Sequence, residues 1–209
     1  MEKLKYGLRD NVLVHIDDVE RGLECNCFCP YCKSKLVAKK GNKNEKHFAH
    51  YSLGECNHGT ETALHLMAKN IIFKTRQIFV PFVPETAYDF SKRGRVVTFE
   101  KAEIEKQLSE NVRGDVVLYL GESFLNVEIK VTHEVDLKKN IELFNMGIPT
   151  IEVDLSDIKS DFTLRMLKNI ISASSLRTPV LSKNNSSYVS KIVGVRFLKF
   201  LLELISKVL

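Results

Sequence analysis

Two groups of residues in this 209-residue chain have types and spacing that could do chemistry. The first is Asp115, Glu128 and Lys130, within the stretch RGDVVLYLGESFLNVEIKVTHE at 113–134. Asp115 to Leu120 is β-branched and aromatic, Gly121-Glu122-Ser123 is a turn signal, and Phe124 to Thr132 is a second extended run, so the stretch predicts a β-hairpin. In its second strand Leu125, Val127, Ile129 and Val131 point one way, and Asn126, Glu128, Lys130 and Thr132 point the other. Glu128 and Lys130 thus share a face, and the hairpin can bring Asp115 beside them. Two carboxylates and a lysine at a sheet end suit metal-dependent phosphodiester hydrolysis. The carboxylates would hold one or two Mg2+ or Mn2+ ions, and the lysine would stabilise charge or place the attacking water.

The second group is cysteine and histidine. All five cysteines fall between positions 25 and 56. An odd, crowded set of this kind argues for metal or free thiols rather than a disulfide framework. Cys29-Pro30-Tyr31-Cys32 is a knuckle, in which proline fixes a turn that aims both sulfurs at one ion. His47-Phe48-Ala49-His50, Cys56 and His58 follow. A closed structural zinc site takes four ligands. The spacing selects Cys29, Cys32, His50 and Cys56, with His47 the rival for the third place. Cys25 and Cys27 are either free core thiols or alternative ligands. The bland alternative for the whole set is that the cysteines are small buried hydrophobes. Their clustering with histidines weighs against it.

As a bare pattern, an acid two residues before a lysine carries little. It occurs three times here, at Glu128-Ile129-Lys130, Asp136-Leu137-Lys138 and Asp157-Ile158-Lys159. The last two sit at predicted helix starts, where helix-end electrostatics suffice to explain them. For Glu128 and Lys130 the bland alternative is a charged strip on a half-exposed sheet.

The elements that must position these residues follow the chain. Val12–Ile16 predicts a short strand and Arg21-Gly22 a turn. Gly59 or Thr60 opens a helix, with Leu64, Met67, Ala68, Ile71 and Ile72 at helical spacing. Glu61, His65 and Lys69 form one line on it, read as a salt-bridged face or as a carboxylate reaching a metal site. Ile78–Val83, broken by Pro81, predicts an edge strand or a loop under the core. Lys92–Arg95 is a basic turn ahead of a strand at Val96–Glu100, solvated or touching phosphate. Lys101–Asn111 is ambiguous between strand and helix. Asp136–Met146 predicts a helix stopped by Gly147, Thr150–Leu155 a strand, and Asp157–Ile171 a further helix. Residues 172–191 are polar and linker-like. Val195–Leu209 predicts an apolar helix too short and too charged to span a bilayer, suited to the core, self-association or a partner protein.

The net charge of +5 is compatible with a polyanionic partner without demanding one. The opening residues lack the apolar run of a signal peptide, which sets the expectation of a cytoplasmic protein without a membrane span.

The order of a helix with Glu61, strands at Val96, Asp115 and Glu128, a helix, and a strand at Ile151 resembles the α-β-β-β-α-β core of the PD-(D/E)xK nuclease superfamily. A narrower resemblance covers residues 12–155. Cys29-Pro-Tyr-Cys32, Lys40-Gly41, His47-Phe-Ala-His50, Cys56 and Glu61…His65…Lys69 look like the competence-protein CoiA-like group. That resemblance implies an α/β fold with a restriction-endonuclease-like core, a mixed sheet flanked by helices, behind a small zinc-binding module. The implied organisation is a zinc-finger-like module at 1–58, a nuclease-like domain at 59–171, and a linker with a C-terminal helix at 172–209. The implied activity is Mg2+-dependent DNA hydrolysis in competence, recombination or phage defence, with Glu61, Asp115, Glu128 and Lys130 as site residues. In that frame Arg113, Lys138, Lys139 and His133 are candidate phosphate contacts. Lys39, Lys40, Lys43 and Lys46 would widen a basic surface on the zinc module or brace its fold. The competing expectation is a DNA-binding or protein-interaction accessory protein whose core is inactive.

Overall fold

The computed structural model describes residues 3–52, 56–80, 95–132 and 137–172. The chain divides into two units, one of Met1–Met67 with Ser156–Thr163 and one of Ala68–Leu155 with the segment from Leu164 onward.

The first unit is built from short pairings. Strand β1 (Tyr6–Arg9) pairs antiparallel with β2 (Val12–His15). The two residues between them, Asp10 and Asn11, have φ of 51° and 61°. Left-handed backbone at both central positions is what a tight hairpin turn needs, and Asp and Asn tolerate it best among residues with side chains. Strand β3 (Leu36–Lys39) pairs antiparallel with β4 (His47–His50). Isolated bridges Leu4↔Phe48, Leu8↔Phe28 and Gly22↔Ala38 tie these pieces together. The core is Leu4, Ile16, Val19, Leu36, Ala38 and Phe48 with the fully buried Cys25, Cys27 and Cys29. Ser156–Thr163 returns to this unit: Tyr6 stacks on Phe162 at 4.9 Å and its hydroxyl donates to the Phe162 carbonyl. Helix α1 (Gly59–Thr75) starts in the first unit and ends in the second.

In the second unit, β5 (Gln77–Val80) pairs antiparallel with β6 (Arg95–Thr98). A separate four-stranded sheet contains β7 (Lys101–Gln107), β8 (Arg113–Leu120), β9 (Ser123–Lys130) and β10 (Thr150–Asp154), in the spatial order β10-β9-β8-β7. The first three form an antiparallel meander. After α2 (Leu137–Asn145), β10 returns parallel to β9. Gly147, at φ 64°, ends that helix. Helix α3 (Leu164–Ser172) completes the described chain. Val116, Leu118, Leu125, Val127 and Val153 are buried from the sheet, and Leu167 and Ile171 from α3.

Three assignments made from sequence change. The Val96 strand does not belong to the sheet that carries Asp115. It pairs with β5, and the sheet's outer strand is the ambiguous segment Lys101–Gln107. That strand lies at an edge and is studded with charge, as unpaired edges are, so its alternation is muted. The last helix begins at Leu164 rather than Asp157, because Phe162 is taken up by the first unit's packing. An N-terminal strand, β1, was not expected. Among the described residues no helix is long and apolar enough to cross a membrane. The linker, the C-terminal helix, His133 and Lys92–Gly94 lie outside the described residues.

Candidate functional site

The cysteine and histidine group is assembled by backbone geometry. The Cys29 N–H donates to the Ser34 carbonyl and the Lys33 N–H to the Cys29 carbonyl, folding the knuckle with Lys33 at φ 61°. The chain then runs into β3, whose Leu36 is paired with His50 on β4. That register carries the His50 ring to the knuckle. One ligand atom from each of Cys29, Cys32, His50 and Cys56 lies within 4.8 Å of every other. The Cys29 and Cys56 sulfurs are 3.7 Å apart, and Cys32 Sγ is 3.3 Å from His50 Nε2. A disulfide needs about 2.05 Å. Tetrahedral Zn2+, with bonds of about 2.3 Å to sulfur and about 2.0 Å to nitrogen, implies edges of about 3.8 Å and about 3.5 Å. The group therefore has the chemistry and spacing of a closed Cys3His zinc site. His47 is outside it, its Nδ1 lying 2.9 Å from the Glu45 carbonyl. Residues three apart on a strand face opposite ways, so His47 and His50 cannot both turn to the knuckle.

The surroundings sort the thiols. Burial pushes Cys29 up to about 12. Partial burial also opposes ionisation of Cys32, but hydrogen bonds from Ser34, Cys29 and His50 outweigh it and bring that thiol down to about 6. Cys25 and Cys27 are core thiols, donating to the Leu36 and Cys25 carbonyls. Gly59 lets α1 begin against the cluster, since a Cβ there would stand 3.3 Å from Cys29 Sγ and 3.2 Å from Leu4.

The acidic group is assembled by sheet register. Ile104 is paired with Val116 and Lys106 with Gly114, so Glu105 on β7 stands opposite Asp115 on β8. Val116 is paired with Val127, and one residue further Asp115 meets Glu128 on β9. Glu128 is paired with Glu152 on β10. Four carboxylates, Glu105, Asp115, Glu128 and Glu152, therefore stand in one row across four strands. Like charges opposite one another destabilise a sheet. Lysines offset them. The buried Lys69 ammonium pairs with Glu105 and lies 3.4 Å from Asp115 Oδ1. Lys139 lies 2.5 Å from Glu128 Oε2. Lys130 lies 2.8 Å from Asp154 and 4.0 Å from Glu152.

Asp115 is itself buried, and its Oδ2 accepts the Ile129 N–H at 2.9 Å, so the carboxylate is lodged against the neighbouring strand's backbone. Burial raises the pKa of Glu128; Lys139 and Asn126 oppose that rise, and the charge of Asp115 adds to it. Asn126, fully buried, donates to Glu128 Oε1 at 2.9 Å. Among the described residues its own Oδ1 has no partner. Gly114 makes room for it, since a Cβ at 114 would fall 2.3 Å from that oxygen.

Residues 16–59 match the family described as Competence protein CoiA, N-terminal domain. This segment is similar to the CoiA N-terminal domain. The match spans the knuckle, His50 and Cys56, so three cysteines and the histidine of the candidate zinc site all lie inside it. No curated protein and no solved structure matches the chain.

Of the acidic residues nominated from sequence, Asp115 and Glu128 lie beside each other in the second unit. Lys130 is on the same strand, turned to Asp154. Glu61 lies on the part of α1 that belongs to the first unit, paired with His58 at 3.2 Å. Arg113 is exposed, 3.9 Å from Glu105. Sequence reading missed Glu105, Lys139 as the Glu128 partner, and Asn126. It left Lys69 as one charge on a helix face. Lys69 could have been found: it lies one residue after the buried Ala68 and two before Ile71, within the apolar stripe of α1. Nothing local marks Glu105, whose role depends on which strand borders β8.

Proposed function

We propose that the second unit is a divalent-metal-dependent nuclease acting on DNA, joined to a zinc-stabilised CoiA-type domain in a competence-related role. The nuclease-like domain would take in α1 and the four-stranded sheet. The observation that supports the reading best is the row of carboxylates across the sheet, with Asp115 and Glu128 side by side on its two central strands. An all-oxygen donor set of this kind suits Mg2+ or Mn2+ rather than zinc. Such an ion, when bound, lowers the pKa of a water and stabilises charge on phosphate oxygens.

The protein's own residues have separate tasks in this scheme. Asp115 and Glu128 would hold the metal, Asp115 kept in place by the Ile129 N–H and Glu128 oriented by Asn126. Lys69, Lys130 and Lys139 would balance the row and position the scissile phosphate. Glu61, on the helix preceding the sheet, is proposed as a further carboxylate of the site by resemblance alone. The protein would work in the cytoplasm, and the segment at 195–209 would serve self-association or a partner.

A second reading has a specific observation in its favour. Lys130 is held by Asp154 and Asp115 by Lys69, so these charges are already neutralised within the protein. An inactive core in a DNA-binding accessory protein would show the same pairs. One assay separates the two: cleavage of plasmid, single-stranded and branched DNA with Mg2+ or Mn2+, using wild type and Glu128→Gln. Metal-dependent cutting that Glu128→Gln abolishes supports the nuclease. Binding without cutting by either protein supports the accessory role.

A further inference from the structure

The first unit carries a groove that the zinc site does not use. It has a volume of about 570 Å³ and is lined by Arg21 and Gly22 on one side and by the turn from Lys39 through Asn44 on the other. Local charge in this region is strongly one-sided. Between positions 33 and 46 there are six lysines, at 33, 35, 39, 40, 43 and 46, against the single acid Glu45.

The structure sorts those lysines. Lys40 donates to the Asp17 and Val19 carbonyls, and Lys46 pairs with Asp17. Glu45 is held by Lys3 and Lys5. Those residues brace the fold. Arg21, Lys39 and Lys43 are exposed, and among the described residues their charges have no protein partner. Two of them are forced together. The Gly22 N–H donates to the Ala38 carbonyl and the Ala38 N–H to the Gly22 carbonyl, which sets Arg21 next to Lys39 across the bridge. Like charges at opposed positions cost stability, and among the described residues neither is ion-paired; Glu45, the acid lining the groove, is taken up by Lys3 and Lys5. Gly22, at φ 78°, and Gly41 have nothing within 4 Å of where a Cβ would stand, so the backbone on both sides of the groove is open to a ligand.

We propose that this groove binds the phosphate backbone of DNA through Arg21, Lys39 and Lys43. Its lining contains no Phe, Tyr or Trp. Base stacking is the usual source of single-strand preference, whereas cations alone follow charge density and do not read sequence. The groove therefore favours duplex over single strands and is indifferent to sequence. The identity of the polyanion rests on the DNA-processing reading above, but the groove lies in a different unit from the carboxylate row, so binding and cleavage can fail separately.

The test uses the full chain and measures fluorescence anisotropy of labelled duplex and single-stranded oligonucleotides across a salt series. The variant is Arg21→Gln, Lys39→Gln and Lys43→Gln combined. The control removes the same charge elsewhere, with Lys35→Gln, Lys159→Gln and Lys168→Gln. Zinc content and thermal midpoint confirm that both fold. The groove variant is expected to lose at least tenfold in duplex affinity, and its slope of log affinity against log salt should become shallower by up to about 2.7, the release expected for three phosphate contacts. The control should lose much less. Equal loss in both variants, or none in the groove variant, overturns the proposal. So does binding of wild type to anionic phosphatidylglycerol vesicles, and not to DNA, that the groove variant loses, since that assigns the groove to a membrane surface. If the groove variant loses affinity while wild type never cuts, the groove stands and the nuclease reading falls. If the groove variant binds like the control while Glu128→Gln alone abolishes cutting, the groove falls and the nuclease reading stands.

Discussion

The Cys3His cluster and the carboxylate row are both candidate metal centres, and they are built in opposite ways. The first draws its ligands from 28 consecutive positions, Cys29 to Cys56, and a turn, one strand pair and a helix start gather them. Its donors are three thiols and an imidazole, and among the described residues no lysine or arginine is paired with them. The second draws carboxylates from four strands between Glu105 and Glu152. Each central carboxylate is already engaged by a lysine or a backbone N–H. Thiolates and imidazole hold zinc tightly enough to fold a small unit around it. Hard cations bind weakly to protein oxygens and keep much of their water, so a carboxylate site must be stable without them and tunes its charge with lysines instead.

The sharpest break between the two should come on metal removal. Stripping zinc with a chelator, or replacing Cys29 with Ser, is expected to unfold the first unit, because structural zinc contributes roughly 10–16 kcal/mol of folding free energy in small modules. Circular dichroism and a measured stoichiometry of one zinc per chain check this; a thermal midpoint indifferent to both treatments would contradict it. Withholding Mg2+ should leave the second unit folded.

The next largest effect concerns Asp115. Asp115→Asn should abolish cleavage with the smaller loss of stability, since an amide oxygen still accepts the Ile129 N–H. Asp115→Ala should abolish cleavage and destabilise by about 1–3 kcal/mol more than Asp115→Asn, because it also leaves the Ile129 N–H without its acceptor, whereas both variants leave the buried Lys69 with one carboxylate fewer. Urea denaturation distinguishes the pair. Equal stability of the two variants would mean that the bond to the Ile129 N–H carries nothing.

A smaller effect is a pH dependence. Glu128 has a folded-state pKa raised above its ordinary 4.5, chiefly by burial. In the window above 4.5 the folded protein binds more protons than the unfolded one, so this group's contribution to stability falls as pH rises through that window. Activity that needs the ionised carboxylate runs the other way, and its acid limb should lie above the ordinary carboxylate range. Lys139 lowers this pKa, so Lys139→Met should move the acid limb of the pH–rate profile to higher pH. An unmoved limb would detach Glu128 from the chemistry.

The smallest stability effect is expected at Lys130. Its pair with the partly exposed Asp154 should be worth under about 1 kcal/mol, so Lys130→Met should unfold nearly as wild type does. Its effect on cleavage is the informative reading: a large loss in rate places Lys130 at the chemistry, and no loss leaves Lys69 as the lysine that matters.

Much of the Cys3His cluster was legible because its ligands are rare residue types, close in sequence; the choice between His47 and His50 stayed open until the β3–β4 register placed His50 at the knuckle. The hairpin of β8 and β9 was legible from its period and its turn. The carboxylate row was not. Glu and Asp are common, and the same short pattern recurs where it means only a helix start. Asp136 and the apolar tail lie outside the described residues, so the structure adds nothing there.

The sequence by itself determined the candidate metal ligands of the first unit, the hairpin, and the neighbourhood of Asp115 and Glu128, because each depends on contacts within a few dozen residues and on side-chain type. Only the tertiary structure decided which strand borders β8, that Glu105 and Glu152 extend the row, that Lys69 is buried against Asp115, and that Arg21 is set next to Lys39. Those are consequences of register between segments distant in the chain. Register is chosen by the sum of many weak apolar contacts, and no single residue announces it.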